Sequence, residues 1–215
     1  MNTEIVELYN KIGGENYNKR GFTPISFLIK KHLLSKSNLK MGDKVLVLFC
    51  GSGQDFKPIL DVIGPTGEIV GVDFSESMLK VAKKNIESKN IKNITLIEDD
   101  VLKFDNDEYH NYFDAVFCSM GIALDDDSSR IFSRLNTFQN EESQVIVFDL
   151  KFPDSSMGRI VYSLILEKIT NHYGGNREKH ISSSALYHDL SKNKKCIFST
   201  QYLFGTFYSI IMNNY

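Results

Sequence analysis

Apolar residues follow two alternating rhythms along this chain. Short, nearly unbroken apolar runs occur in MGDKVLVLF, GEIVGVDF, ITLIEDD, YFDAVFCSM and SQVIVFDLKF. Such runs predict strands buried on both faces. Between them lie stretches with helical spacing. Residues 3–12 predict a short amphipathic helix, and the polar GGENYNKRG predicts a loop. In TPISFLIKKHLLSKS, Thr23 is a candidate N-cap and Pro24 suits the first helical position. Ile25, Leu28, Ile29, His32 and Leu33 then share one face. DFKPILDVIG predicts a helix whose start is confined by Pro58. SESMLKVAKKNIESKN predicts another, with Ser75 as N-cap and Met78, Leu79, Ala82 and Ile86 on one side. DDDSSRIFSRLNTF and SSMGRIVYSLILEKIT predict two more. KKCIFSTQYLFGTFYSIIMN, aromatic and β-branched around Gly205, predicts a terminal hairpin.

Strands alternating with helices predict a Rossmann-like, doubly wound α/β sheet with right-handed crossovers. The expected sheet has seven strands, mostly parallel, closed by a terminal antiparallel hairpin. Ligands of such sheets bind beyond the carboxyl ends of the strands. The residues there are Cys50, Gly51, Ser52 and Gly53 after the first strand and Asp73 after the second. Asp99, Asp100 and Val101 follow the third, and Cys118, Ser119 and Met120 the fourth. Asp73 lies about twenty residues beyond the glycines, the spacing at which an acid reaches ribose hydroxyls. Together these features predict an adenosine-containing ligand. A dinucleotide fits poorly, because Phe56 stands where the third small residue of its fingerprint belongs. A phosphate-binding P-loop is excluded, since no Gly-Lys-Ser/Thr follows.

Composition narrows the partners. With 215 residues the chain can bury a full core, and no internal repeat or linker divides it. A formal charge of −2 and the absence of a basic block disfavour nucleic acid. No apolar run approaches the roughly 20 residues that span a bilayer, and MNTEIVELYN lacks a signal-peptide pattern. Cys50, Cys118 and Cys196 are three, scattered and without a C-x-x-C pair, which predicts reduced thiols in a cytoplasmic protein and no metal site. Asp125, Asp126 and Asp127 read as helix capping. His172, His180 and His188 read as solvated loop residues, with a general base among them as the alternative. His32 and His110 read as structural or surface groups. Phe198, Tyr202, Phe204, Phe207 and Tyr208 read as core.

The ordered series VLVLFCGSGQDF, VGVDFSESMLKVA, IEDDV and FDAVFCSMGIAL resembles class I S-adenosylmethionine-dependent methyltransferases. The likeness is to the small-molecule branch that includes quinone and phospholipid-headgroup enzymes, and it covers roughly residues 40 to 153. It implies one methyltransferase domain over 1–215. Residues 1–40 would form a helical lid region and 41–153 the cofactor-binding core. Residues 154–215 would supply a helix, a substrate-side segment and the hairpin. It further implies S-adenosyl-L-methionine as cofactor and a small-molecule acceptor methylated on nitrogen or oxygen. By resemblance, Gly51 and Gly53 admit the methionine part, with Phe49, Cys50 and Ser52 in the same loop. Asp73 holds the ribose and Phe74 follows it. Met78 packs beside the adenine, which Asp100 and the Val101 amide hydrogen-bond. Cys118 and Ser119 face the cofactor across the pocket, and Tyr17 looks like the lid tyrosine. No catalytic residue is implied.

The chain departs from the family pattern at Val47, where an acid is usual, and at Phe49, where a glycine is usual. It also has NEES before the fifth strand, in place of a Pro-Gly-Gly turn. A phenylalanine at 49 is expected to need a negative φ and a ring turned away from the ligand. These departures support an alternative reading, a methyltransferase-fold binding module without turnover.

Overall fold

The central strand β1 (Lys44–Leu48) pairs in parallel with β2 (Glu68–Asp73) on one side and β4 (Phe113–Ser119) on the other. β3 (Ile94–Glu98) extends the sheet beyond β2, and β5 (Gln139–Leu150) beyond β4. The hairpin β6 (Cys196–Tyr202) and β7 (Phe207–Asn213) closes the far side, with β7 antiparallel to both β5 and β6. The order of the seven strands is β3-β2-β1-β4-β5-β7-β6. The molecule is seen here as a computed structural model that describes residues 3–13, 16–17 and 23–214.

Period-two alternation sends side chains of each strand to opposite faces. Leu46, Leu48, Val70, Val72, Val116 and Val147 enter one apolar layer. Helices α5 (Ser128–Asn136) and α8 (Arg177–Ser191) cover it through Ile131, Leu135, Tyr187 and Leu190. Val45, Val47, Ile69, Phe117, Ile146 and Phe148 enter the other layer. It is covered by α2 (Thr23–Leu34), α3 (Phe56–Ile63) and α4 (Glu76–Ser88), through Leu33, Leu34, Ile59, Ile63, Leu79 and Ala82. The departure at Val47 is therefore an apolar one, with the side chain fully buried in this layer. β6 differs in that its residues alternate between half-buried and exposed, as suits an edge strand.

Most predicted elements stand where the pattern puts them. α1 (Thr3–Ile12) docks on the start of α4, where Asn10 Oδ1 accepts from the Ser75 hydroxyl at 2.8 Å. Ser75 caps α4 by accepting from the Met78 amide, and Asp127 caps α5 by accepting from the Ser129 amide at 3.0 Å. The expected cap at Thr23 rests on a side chain outside the described residues, as does most of the GGENYNKRG loop.

Four expectations are corrected. Phe49 has φ +57, not a negative value. The chain turns left-handed there so that the Cys50 amide can donate to Val72 O at 3.1 Å. The NEES segment belongs to β5, which starts at Gln139 and absorbs the extra residues as a bulge opposite Phe113–Ala115. The segment holding the three histidines is helical: α6 (Ser156–Val161) runs through a π-helical turn at Tyr162–Leu166 into α7 (Glu167–His172), and α8 follows. Phe204, expected in the core, is 58% exposed at the hairpin tip. Cys50 and Cys118 are fully buried and Cys196 partly so, all as free thiols. No helix among the described residues is long and apolar enough to cross a membrane.

Candidate active site

Strand register lines up the carboxyl ends that build the site. Leu48 pairs with both Val72 and Cys118, and Ser119 pairs with Phe148. The 49–55 loop, Asp73, the 119–124 turn and Asp149 therefore lie along one sheet edge. The edge includes the point where strand order reverses between β1 and β4, the usual crevice for ligands in open α/β sheets.

Asp73 anchors the first half. Its Oδ2 accepts from the Gly51 amide at 2.8 Å and its Oδ1 from the Ser75 amide at 2.9 Å. The carboxylate thus ties the glycine loop to the start of α4. Burial pushes its pKa up from 3.8 to about 6, and the amide bonds oppose that rise only in part. Gly51 has φ +52, and a β-carbon added there would meet no atom within 4 Å. Its backbone borders open space. Gly53 is different: with φ +79, an added β-carbon would sit 2.7 Å from the Phe56 ring. Gly53 lets α3 pack against the loop.

The space above Gly51 is lined by Tyr9, Tyr17, Phe49, Cys50, Ser52, Asp73, Phe74, Met78 and Ser119, among others, and measures about 60 Å³. Of the residues predicted to bind the cofactor, Gly53, Asp100, Val101 and Cys118 do not line it. Val101 and Cys118 are buried in the apolar layer. The Asp100 carboxylate accepts from the Leu102 amide at 3.0 Å, closing its own turn. Phe49 is 7% exposed, with its ring edge-on to Phe74 at 6.4 Å and against Gly121. It serves both the apolar layer and the wall.

A second, mainly apolar cavity of about 110 Å³ adjoins the first. Tyr9, Tyr17, Lys30, Gln54, Met120 and Leu124 line both. Phe148 and Phe207, stacked 5.7 Å apart at 9°, form part of the second wall with Leu150, Leu166 and Ile169. Its polar groups include Asp149 and His180. Asp149 Oδ2 accepts from the Ile122 amide and Oδ1 from the Leu150 amide, both at 2.7 Å. Burial nevertheless raises its pKa to about 7. His180, expected in a loop, is buried on α8, and its Nδ1 meets the Tyr162 hydroxyl at 2.6 Å. Burial lowers its pKa to about 4, so it is neutral at pH 7. His172 ends α7, and His188 Nε2 pairs with Asp154 Oδ1 at 3.0 Å on the surface. Tyr9 and Tyr17 line both cavities and Tyr173 the second; the Tyr9 ring is tilted 45° to Tyr17, Tyr17 stands edge-on to Tyr173, and the Tyr9 hydroxyl donates to Tyr173 O at 3.2 Å.

Asp149, Lys30, Asp55 and Tyr9 did not stand out in the sequence. Asp149 had a readable signal, being a strand-end acid like Asp73. Lys30 had none, because one lysine on a surface-patterned helix says nothing of its burial.

The sheet order and the strand-end crevice define a class I methyltransferase fold. Residues 39–198 match the family described as Methyltransferase domain, and the chain belongs to that family. A demethylmenaquinone methyltransferase of Staphylococcus saprophyticus is 27% identical over 145 residues, 67% of this chain and 60% of that protein. The match thus spans about three-fifths of that curated relative's length. Among solved structures, the plantazolicin methyltransferase BpumL in complex with SAH superposes with TM-score 0.68 at 16% identity, covering 94% of this chain and 88% of that one. A SAM dependent methyltransferase from Aquifex aeolicus gives 0.63 at 15% identity, covering 85% and 88%. The open backbone at Gly51, the acid beneath it and the apolar flank of Phe74 and Met78 fit an adenosine-bearing ligand with a sulfur-linked tail.

Proposed function

We propose that the chain transfers a methyl group from S-adenosyl-L-methionine to a nitrogen or oxygen of a small-molecule acceptor. The observation that carries this reading is the shared wall. A ligand seated over the glycine loop faces, past Met120 and Leu124, a second cavity with apolar walls.

When bound, the cofactor supplies a methyl group on a sulfonium that is already a good leaving group. The chain's own contribution is then orientation and exclusion of water. Asp73, held by two amides, accepts from the ribose hydroxyls, and Gly51 lets the backbone come close. Phe74 and Met78 flank the base. Tyr9 and Tyr17 have to turn aside to admit an adenosine, since the space beneath them is only about 60 Å³. The second cavity has the size of a single ring, and its aromatic walls suit a flat acceptor, in keeping with the quinone named for the staphylococcal relative. Asp149, which lines that cavity, would take the proton from such an acceptor, and a pKa raised to about 7 suits a base working at neutral pH.

Calorimetric titration with S-adenosylhomocysteine, followed by turnover with a panel of phenols and amines, tests the reading. No binding at millimolar ligand would sink it. Binding without turnover on any acceptor would favour the second reading, a methyltransferase-fold binding module. The specific observation on that side is Val47, buried and apolar where the family carries an acid.

A further inference from the structure

With Val47 buried among apolar side chains, no charge lies beneath the glycine loop from that position. A charged pair stands beside the loop instead. Lys30 Nζ on α2 meets Asp55 Oδ1 at 2.6 Å, with side-chain exposures of only 7% and 6%. Asp55 occupies the N-cap position of α3, yet its side chain makes no capping bond. Among the described residues no other donor serves its Oδ1. On its far side the Lys30 ammonium lies 5.8 Å from the centre of the Phe148 ring. Lys30 lines both cavities and Asp55 lines the one above Gly51.

Burying such a pair carries a desolvation cost for each ion, and a pair of this kind is weak evidence for stability. Its placement has another use. A methionine tail ends in an ammonium and a carboxylate, the charge complement of a carboxylate beside an ammonium. We infer that Lys30 and Asp55 hold the amino-acid end of the cofactor, Asp55 taking the α-ammonium and Lys30 the α-carboxylate, in place of the acid missing at Val47. The inference rests on the cofactor reading above. Met120, on both cavity walls, would then adjoin the sulfur end and the loop the amino-acid end.

The test compares S-adenosylhomocysteine with methylthioadenosine, which keeps the adenosine and sulfur but lacks the amino-acid end. Calorimetry on the full chain should show wild type favouring S-adenosylhomocysteine by roughly ten- to hundredfold, the scale of charge-assisted hydrogen bonds. Lys30→Met/Asp55→Leu removes both charges, so neither is stranded. It should lose that preference while binding methylthioadenosine as wild type does. The near-isosteric Asp55→Asn should lose part of it. A double variant that keeps the preference, or an Asp55→Asn protein equal to wild type, would overturn the role of the pair and leave the cofactor reading standing. A wild type that binds both ligands equally would do the same. A wild type that binds neither would overturn the cofactor reading and the inference together.

Discussion

Phe49 carries two opposed energies, and the structure lets them be separated. Its φ of +57 places a bulky side chain in the left-handed region, which costs about 1–2 kcal/mol. Its ring is buried in the apolar layer, and deleting a buried phenylalanine costs about 3–5 kcal/mol. Phe49→Gly relieves the first, forfeits the second and adds about 0.5–1 kcal/mol of chain entropy. The expected net loss is about 1.5–5 kcal/mol. For a chain of this length that lowers the melting temperature by about 3–20 °C. Gly121 supplies the control. Its φ of −114 suits any residue, but an added β-carbon would lie 2.3 Å from the Phe49 ring. Gly121→Ala alone should therefore cost about 1–3 kcal/mol by overpacking, and close to nothing when Phe49 is already glycine. Scanning calorimetry of the four proteins gives the cycle. If Phe49→Gly melts at or above wild type, or Gly121→Ala is equally harmful in both backgrounds, the core assignment of the ring is wrong. A Phe49→Gly protein of unchanged stability that binds S-adenosylhomocysteine clearly tighter would make the ring a brake on the site.

Asp73→Ala should weaken S-adenosylmethionine binding by about 1.5–3 kcal/mol, the worth of a charge-assisted hydrogen bond; equal titration curves would remove it from the ribose. Because the ribose hydroxyls need the ionised carboxylate and Asp73 titrates near 6, wild-type affinity should be flat above that pH. Below it, affinity should fall about tenfold per unit, and a curve flat down to pH 5 would contradict this. Gly51→Val meets open space but is strained by the φ of +52, so it should melt below wild type while keeping its fold, and lose ligand binding; a thermal melt followed by circular dichroism beside a titration checks both halves. Tyr162→Phe strips the partner from buried His180 Nδ1 and should cost about 1–3 kcal/mol in urea unfolding, whereas a loss under 0.5 kcal/mol would mean that the bond is immaterial.

The sheet was legible because its strands are buried on both faces and therefore unbroken in hydrophobicity. α8 was not, because its buried face is mostly polar: Lys179, His180, Ser183 and Ser184 are buried beside Tyr187 and Leu190. The Ser183 hydroxyl donates to Leu150 O at 2.7 Å, so hydrogen bonding replaces the apolar stripe that periodicity detects. The glycine loop and Asp73 could be read because their relation is local in sequence. Lys30 and Asp55 are also near in number, yet their meeting depends on how α2 packs on α3. Phe49 misled because residue type alone argues against a left-handed φ, while the hydrogen bond from Cys50 to Val72 demands it.

The place of β7 in the sheet bears on how the protein is made. β7 is translated after β6 but sits between β6 and β5. As the chain leaves the ribosome, the edge of β5 that pairs with β7 and includes Phe148 and Asp149 has no neighbour until residues 207–213 emerge, roughly 60 residues later. At typical synthesis rates that wait is several seconds. Throughout it, an apolar strand edge is open to wrong partners, and β6 has no strand of its own to join. A nascent chain stalled before residue 207 would thus lack more than its last strand: it could not assemble the wall of the second cavity. Nonsense or frameshift lesions before residue 207 should yield chaperone-bound or degraded product rather than a trimmed, working protein.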